Sequence, residues 1–219
     1  MKNPIPFYTK RFFCNEFNET TLGFHTEQEN VSFEKRLRGC KRYLEWGMGA
    51  STVVAARLGV STISIESDKI FLEAVRRSIR PYLASGDIQL IHRDIGLIGP
   101  WGSPVIDWFA PITKARELKF KNYSDPELHF EEGLPDLVLI DGRFRVACAL
   151  KTLRYFYKFG HSSYEICVDD YIGRPEYHIL NQWFELTSAG SEMAVFTPLK
   201  NIDTELLEAV IASFELKPD

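Results

Sequence analysis

The chain has 219 residues, of which 45% are hydrophobic, and this is enough to bury the core of one domain. Its 26 Lys and Arg residues against 30 Asp and Glu residues give a formal net charge of −4, which excludes a global basic field that would attract nucleic acid. The four cysteines lie far apart and form no CxxC pair, so the sequence gives no sign of a zinc site.

The sequence shows neither a membrane span nor a secretion signal. No apolar run reaches the roughly 18 to 20 residues that a membrane helix requires, and residues 1–6 lack the apolar segment of a signal peptide. We therefore expect a cytoplasmic protein that does not act at a membrane.

Residues 1–40 are predicted to form an N-terminal arm and one helix ahead of the main domain. The arm, residues 1–26, carries several Phe and Tyr side chains that are hard to leave in water. We expect it to pack on the domain, on a second subunit in a homodimer, or over the active site. Thr26 followed by Glu29 indicates the start of a helix, and Gly39 indicates its end.

From residue 41 to residue 219, apolar strands alternate with amphipathic helices, which is typical of βαβ units. The predicted strands are residues 42–45, 61–66, 88–92, 134–140, 164–168 and 193–196, and the predicted helices are residues 51–58, 68–82, 146–159, 176–186 and 204–214. This order predicts an α/β fold of the Rossmann-like, doubly wound class, with a mostly parallel sheet and helices on both faces. Residues 95–133 show little periodicity, and we interpret them either as short elements without a clear pattern or, in preference, as a lid or substrate-binding insert.

A glycine turn follows the first predicted strand. Gly47 and Gly49 allow positive φ and a close approach of the backbone to a ligand, and Ser51 or Thr52 can cap the helix that follows. The alternative is an ordinary tight turn, because a lone GxG pair is a weak signal.

Acidic residues stand at the ends of several predicted strands, where ligands bind in open α/β sheets. Glu66 lies 19 residues after Gly47, close to the spacing of an acid that binds ribose hydroxyls. Asp94 follows the third strand and is placed to accept a hydrogen bond from an adenine amino group, with a turn or capping role as an equal alternative.

Glu45, just before the glycine turn, favours a cofactor with a cationic tail. Beside a pyrophosphate, its carboxylate would place one negative charge next to another, and Thr52 replaces the third glycine of the dinucleotide motif. Both points argue against NAD or a nucleotide-sugar. They favour S-adenosylmethionine, whose ammonium and sulfonium groups are positive and whose adenosine still needs a ribose acid.

Over roughly residues 40 to 200, the ordered motifs resemble those of class I S-adenosylmethionine-dependent methyltransferases. The matching segments are LEWGMG at 44–49, Ile65-Glu66, Asp94 and LID at 139–141. GAST at 49–52, WGSP at 101–104, DGRFRVAC at 141–148 and DDY at 169–171 resemble a group of bacterial proteins labelled as methyltransferases without a known substrate. The resemblance implies that the methionine end is lined by Glu45, Gly47 and Gly49, the ribose is held by Glu66, and the adenine is flanked by Asp94 and Ile95.

The candidate catalytic residues are Asp141, Arg143, Asp169 and Asp170. The three acids follow the fourth and fifth strands and are similar in placement to the acids that hold magnesium in catechol-type O-methyltransferases, with Asp170 where an asparagine is usual. The alternative to a metal site is ion pairing with Arg143 or Arg145. Arg143 and Arg145 are also candidates for binding an acidic group of a substrate, such as a carboxylate or phosphate.

We therefore predict an S-adenosylmethionine-dependent enzyme that methylates a small-molecule acceptor on oxygen, with a divalent cation such as magnesium as a second candidate cofactor. The rival functions are an NAD- or nucleotide-sugar-binding Rossmann enzyme and a catalytically silent protein of the same fold. We expect no nucleic-acid partner.

Overall fold

One seven-stranded sheet forms the centre of the molecule. This computed structural model describes residues 17, 19–83, 87–126 and 133–218, and residues 1–16 of the predicted arm lie outside the described residues. The strands are β1 (Arg42–Trp46), β2 (Ser61–Glu66), β3 (Ile88–His92), β4 (Leu137–Ile140), β5 (Glu165–Val168), β6 (Phe184–Ala189) and β7 (Ala194–Pro198). Their order across the sheet is β3-β2-β1-β4-β5-β7-β6, and β7 runs antiparallel to both of its neighbours, whereas β1 to β5 are parallel.

Helices cover both faces of this sheet. They are α1 (Glu27–Gly39), α2 (Ala50–Leu58), α3 (Lys69–Ile79), α4 (Lys114–Tyr123), α5 (Arg145–Lys158) and α6 (Thr204–Phe214), with 3-10 helices at Arg80–Tyr82, Pro100–Gly102 and Pro175–Gln182. Leu44 and Val138 pack in a core with α4, α5 and α6, whereas their strand neighbours Tyr43 and Leu139 pack with α1 and α2. The predicted Rossmann-like, doubly wound α/β fold is confirmed. Among the described residues, no helix is both long and apolar enough to cross a membrane.

Local signals explain where several helices begin and end. The Thr26 hydroxyl accepts a hydrogen bond from the Glu29 amide at 3.2 Å, and the Glu29 carboxylate accepts one from the Thr26 amide at 3.0 Å, so the two residues form a capping box for α1. The Asp68 carboxylate caps α3 by accepting from two amides of its first turn. Gly59 ends α2 in the left-handed conformation, with φ of 71°.

Two segments differ from the pattern predicted from the sequence. The helix predicted at residues 176–186 is wrong at its end: the 3-10 helix Pro175–Gln182 covers most of it, and residues 184–186 belong to β6. After Phe184, the residues of β6 are all exposed, so this strand at the edge of the sheet carries no alternation of buried apolar residues that would reveal it. Residues 95–133 contain α4, whose Phe120 and Tyr123 are buried in the core, so this segment includes the helix that connects β3 to β4.

Candidate functional site

The turn between β1 and α2 lies at the carboxyl edge of the parallel strands, and its two glycines serve different purposes. Gly47 has a φ of +94°, and a Cβ atom there would lie 2.6 Å from the backbone of both Asp141 and Gly142. Gly49 has an extended φ of 174°, and a Cβ atom there would meet nothing within 4 Å. Gly47 therefore permits a close contact between the ends of β1 and β4, whereas Gly49 leaves open space beside the start of α2.

Glu45 lies beneath this turn and has no exposed surface. Its carboxylate accepts hydrogen bonds from the hydroxyls of Tyr43 at 2.8 Å, Ser51 at 2.6 Å and Thr52 at 2.5 Å. Burial raises the pKa of Glu45, although these hydroxyls oppose the rise. The sequence predicts a direct contact between Glu45 and a cationic cofactor tail, but Glu45 has no exposed atom that could make this contact. Its carboxylate instead stabilises the turn through the hydrogen bonds from Ser51 and Thr52.

Glu66 connects the glycine turn to the segment that follows β2. Its Oε1 atom accepts from the amides of Ser67 at 2.6 Å and Asp68 at 2.7 Å, and its Oε2 atom accepts from the Met48 amide at 3.3 Å. Burial raises the pKa of Glu66, with the amide hydrogen bonds acting against it. Because a carboxylate oxygen has two acceptor positions, Oε2 can still accept a further hydrogen bond, such as one from a ribose hydroxyl.

The two residues expected beside an adenine lie in different surroundings. The carboxylate of Asp94 is half exposed and accepts from Lys119 Nζ at 2.6 Å and from the Gly96 amide at 2.7 Å. These contacts, chiefly the one with Lys119, lower the pKa of Asp94. Ile95 is fully buried in the core, so its side chain cannot flank a ligand.

Arg145 organises the acids that follow β4 and β5. Its side chain is 3% exposed, and its guanidinium lies 3.1 Å from the carboxylates of both Asp141 and Asp170. The same guanidinium donates a hydrogen bond to the carbonyl of Asp169 at 2.5 Å, and Arg174 lies 3.3 Å from the Asp170 carboxylate. The three predicted acids are thus brought together around one buried arginine.

The pKa values of these acids move in different directions. Burial raises the pKa of Asp141 to about 7, and Asp169 adds to the rise against the opposing charge of Arg145. Burial likewise raises the pKa of Asp169. Burial acts on Asp170 too, but the charge of Arg145 and the hydrogen bond from His25 outweigh it and lower the pKa. The Asp141 side chain is nevertheless 38% exposed, so its carboxyl group can be reached from the carboxyl edge of the sheet.

A metal site formed by Asp141, Asp169 and Asp170 does not fit this arrangement. Arg145 already neutralises two of the three carboxylates and lies between them. One ligand atom from each of His25, Asp169 and Asp170 lies within 4.8 Å of the others, but the Asp170 carboxylate there is shared with two arginines. Of the two alternatives that the sequence left open, the described side chains form the ion-pair network.

Arg143 and Arg145 have the same predicted roles in the sequence, but they lie in different surroundings in the structure. Arg143 is half-buried, and its backbone amide donates to the Tyr123 hydroxyl at 3.2 Å. His25, which lies 3.3 Å from Asp170, was missed because it is 145 residues away along the chain. The contact of Tyr43 with Glu45 could have been found, since residues two apart in a strand point to the same face.

Two clefts lie elsewhere on the molecule. One of about 290 Å³ lies between α1 and the hairpin of β6 and β7, and includes Glu29 and Met193 in its wall. Another of about 520 Å³ includes Asp136 and Tyr164. Neither cleft contains any of the predicted site residues, so the candidate site remains the carboxyl edge of the sheet.

No protein-family model matches the chain, and no curated protein sequence matches it significantly. Among solved structures, the chain is similar to a methyltransferase-like protein from Silicibacter pomeroyi DSS-3, with 24% identity and a TM-score of 0.69. The match covers 89% of this chain and 98% of that one.

Two further neighbours are more distant. A methyltransferase from Geobacter sulfurreducens is 12% identical, with 81% of each chain covered and a TM-score of 0.48. The O-methyltransferase from Bacillus cereus, solved in complex with SAH, is 12% identical, with 90% of each chain covered and a TM-score of 0.48. The match to the Silicibacter protein spans nearly the whole of both chains, and with the strand order described above it shows that this chain has the Rossmann-like methyltransferase fold.

Proposed function

We propose that this chain is an S-adenosylmethionine-dependent methyltransferase that methylates a small-molecule acceptor on oxygen. The observation that carries the proposal is the open space at Gly49, where a Cβ atom would meet nothing within 4 Å. The neighbouring Met48 amide is linked to Glu66, the acid at the end of β2. A ligand group can therefore approach the backbone at Gly49 without meeting a neighbouring atom there.

The groups around this space suit the parts of the cofactor. The N-terminus of α2 carries partial positive charge, which favours the carboxylate of an amino-acid tail. Glu66 Oε2 has capacity for a ribose hydroxyl, and Asp94 stands after β3, on the side of the base. Glu45 acts indirectly, because its bonds to Ser51 and Thr52 hold the turn in shape.

When bound, S-adenosylmethionine supplies an activated methyl group for in-line transfer. The chain's own task is to orient the acceptor and to remove its proton. Asp141 suits this task because burial raises its pKa to about 7, its side chain is partly exposed and its backbone adjoins Gly47. The Arg145 guanidinium stabilises the ionised carboxylate that accepts the proton. We assign no step to a divalent cation, since Arg145 occupies the centre of the acid cluster.

Calorimetry with S-adenosylmethionine and its demethylated product, S-adenosylhomocysteine, tests the cofactor. We expect both to bind, and Gly49→Val to weaken binding by filling the open space.

Incubation with a panel of hydroxylated small molecules, read by mass spectrometry, tests the transfer of the methyl group. Failure of both cofactor forms to bind would overturn the proposal, and protection against thermal unfolding by NAD would favour a dinucleotide enzyme instead. Binding without transfer would favour a silent binding protein.

We also propose that nucleic acid is not the acceptor. The formal net charge of −4 supports this, because affinity for nucleic acid depends strongly on Lys and Arg contacts to phosphates. Retention on a filter with labelled RNA at low salt would contradict it.

Size-exclusion chromatography tests the homodimer that the aromatic arm suggests.

A further inference from the structure

Trp101 is held in an uncommon backbone conformation with its indole in solvent. Its φ is +59°, in the left-handed region that bulky residues rarely adopt, and the residue is 89% exposed. Trp46 and Trp183, in contrast, are buried. An indole left in water contributes little to the hydrophobic stabilisation of the fold, so a conformation that keeps it there points to a function.

Hydrogen bonds fix the turn that carries Trp101. The Gly99 amide donates to the Ser103 carbonyl at 2.7 Å and closes the turn. The guanidinium of the buried Arg116 donates to the Leu97 carbonyl at 3.0 Å, just before the turn, and to two further carbonyls of the same segment. The backbone of the turn that carries Trp101 is therefore held in place by these hydrogen bonds.

The turn that carries Trp101 lies near Glu66, the acid that we propose to bind the ribose. A Cβ atom at Gly102, the residue after Trp101, would lie 3.3 Å from the Ser67 hydroxyl. Ser67 directly follows Glu66 and donates to its Oε1 atom from both amide and hydroxyl, at 2.6 Å and 3.1 Å. His92 Nε2, at the end of β3, lies 3.1 Å from the Ser67 carbonyl. Gly102 therefore lies close to the residue that follows β2, and that residue is linked to the end of β3.

We propose that Trp101 stacks on the adenine ring of the bound cofactor. This inference rests on the proposed function, because a ribose held at Glu66 would bring its base close to Ser67 and the paired end of β3, and Gly102 lies near Ser67. An indole offers a flat apolar face large enough to cover a purine, and stacking requires no hydrogen bond to the base. Trp101 is then a binding residue for the cofactor and takes no part in the transfer of the methyl group.

Trp108 is a matched control in the same segment. It is 90% exposed, and its ring packs edge-on against Phe109 with centroids 5.5 Å apart. It lies on a separate turn, closed by a hydrogen bond from the Ala110 amide to the Asp107 carbonyl at 3.2 Å. The chain has four tryptophans, and two of them are buried, so removing one exposed indole leaves the other as the main solvent-accessible fluorophore.

Calorimetry with S-adenosylhomocysteine gives the first test. We expect Trp101→Ala to weaken binding by about 5- to 150-fold, the range that corresponds to the loss of one stacked base. Trp101→Phe should retain most of the affinity, and Trp108→Phe should leave it unchanged. Thermal unfolding should be close to that of the parent for all three variants, since both indoles are exposed. Equal affinities for the parent and Trp101→Ala would overturn the inference.

Acrylamide quenching of tryptophan fluorescence gives a second test. In the Trp108→Phe protein, saturating S-adenosylhomocysteine should protect Trp101 from the quencher. In the Trp101→Phe protein, it should leave the quenching of Trp108 unchanged. If the compound binds the parent but leaves Trp101 equally accessible, the inference is overturned and the proposed function stands. If it does not bind the parent at all, the proposed function fails and the inference with it.

Discussion

The carboxylate of Glu45 joins β1 to the first turn of α2 by accepting hydrogen bonds from Tyr43, Ser51 and Thr52. Glu45→Ala leaves these buried hydroxyls without their acceptor, and we expect it to lower the free energy of unfolding by about 3 kcal/mol. Tyr43→Phe removes one donor and should cost about 1 kcal/mol. Chemical denaturation measures both values. An Ala variant that is as stable as the parent but no longer binds S-adenosylmethionine would show direct ligand contact instead.

Asp141 should make activity and stability respond to pH in opposite directions. Its pKa is raised from 3.8 to about 7 in the folded protein, chiefly by burial. Between these values the folded state holds a proton that the unfolded chain has lost, so stability falls as pH rises through this window. Activity should rise through pH of about 7, because only the ionised carboxylate can accept the acceptor's proton.

Asp141→Asn provides the check on this prediction. We expect it to remove the share of the fall in melting temperature that Asp141 causes, whereas Glu45, Glu66 and Asp169, whose pKa values burial also raises, keep their share. The loss in kcat/KM should be greatest above pH of about 7, where the parent's carboxylate is ionised. An Asn variant with the parent's activity and pH profile would exclude Asp141 as the base.

At the scale of elements, we expect substitutions at the two glycines of the turn between β1 and α2 to act differently: one on stability, the other on cofactor affinity. Gly47→Ala combines a φ of +94° with a Cβ 2.6 Å from the backbone of Asp141, so we expect a loss of more than about 2 kcal/mol of stability. Gly49→Ala meets no neighbour within 4 Å, and its stability should stay within about 0.5 kcal/mol of the parent's. Its affinity for S-adenosylhomocysteine should fall on the order of tenfold, or about 1.4 kcal/mol.

Denaturation and calorimetry on the two glycine variants separate these effects. A Gly49→Ala protein that binds as tightly as the parent would show that the cofactor does not approach this glycine.

The elements that sequence could predict are those with strong periodicity or clear caps. β2 and β3, which are buried or half-buried except at His92, were predicted with their observed bounds, as was α6. β6 was missed because all of its residues after Phe184 are exposed, and α4 was missed because its buried face is short. Acids at strand ends could be predicted to meet, since parallel strands share one carboxyl edge. That Arg145, and not Arg143, would lie among them depends on side-chain packing that no local pattern encodes.

At the scale of the whole molecule, α1 belongs to the core and is not an appendage to it. Phe33 and Leu37 pack with Tyr43 of β1 and Leu139 of β4. The Glu29 carboxylate also accepts hydrogen bonds from the amides of residues 192 and 193, at 2.9 Å and 3.0 Å. We therefore propose that α1 and the described part of the domain that follows it fold as one unit, although the sequence suggested a boundary near residue 40.

Leu37→Ala tests this proposal. We expect a loss of about 2 to 5 kcal/mol in the free energy of unfolding, because Leu37 has no exposed surface. Val31→Ala, on the exposed side of the same helix, should change it by no more than about 0.5 kcal/mol. Similar small losses for both variants, measured by denaturation, would indicate that α1 unfolds independently of the domain.

The position of β7 between β5 and β6 has a consequence for synthesis on the ribosome. β5 is an interior strand whose second neighbour is β7, and the first residue of β7 is added 26 residues after the last residue of β5. At about 5 to 20 residues per second, the nascent chain leaves the edge of β5 unpaired for seconds. During that interval the apolar edge is open to other chains, and a general chaperone would be needed most at this point. Once β7 is paired, β6 becomes the outer edge of the sheet in place of the buried β5.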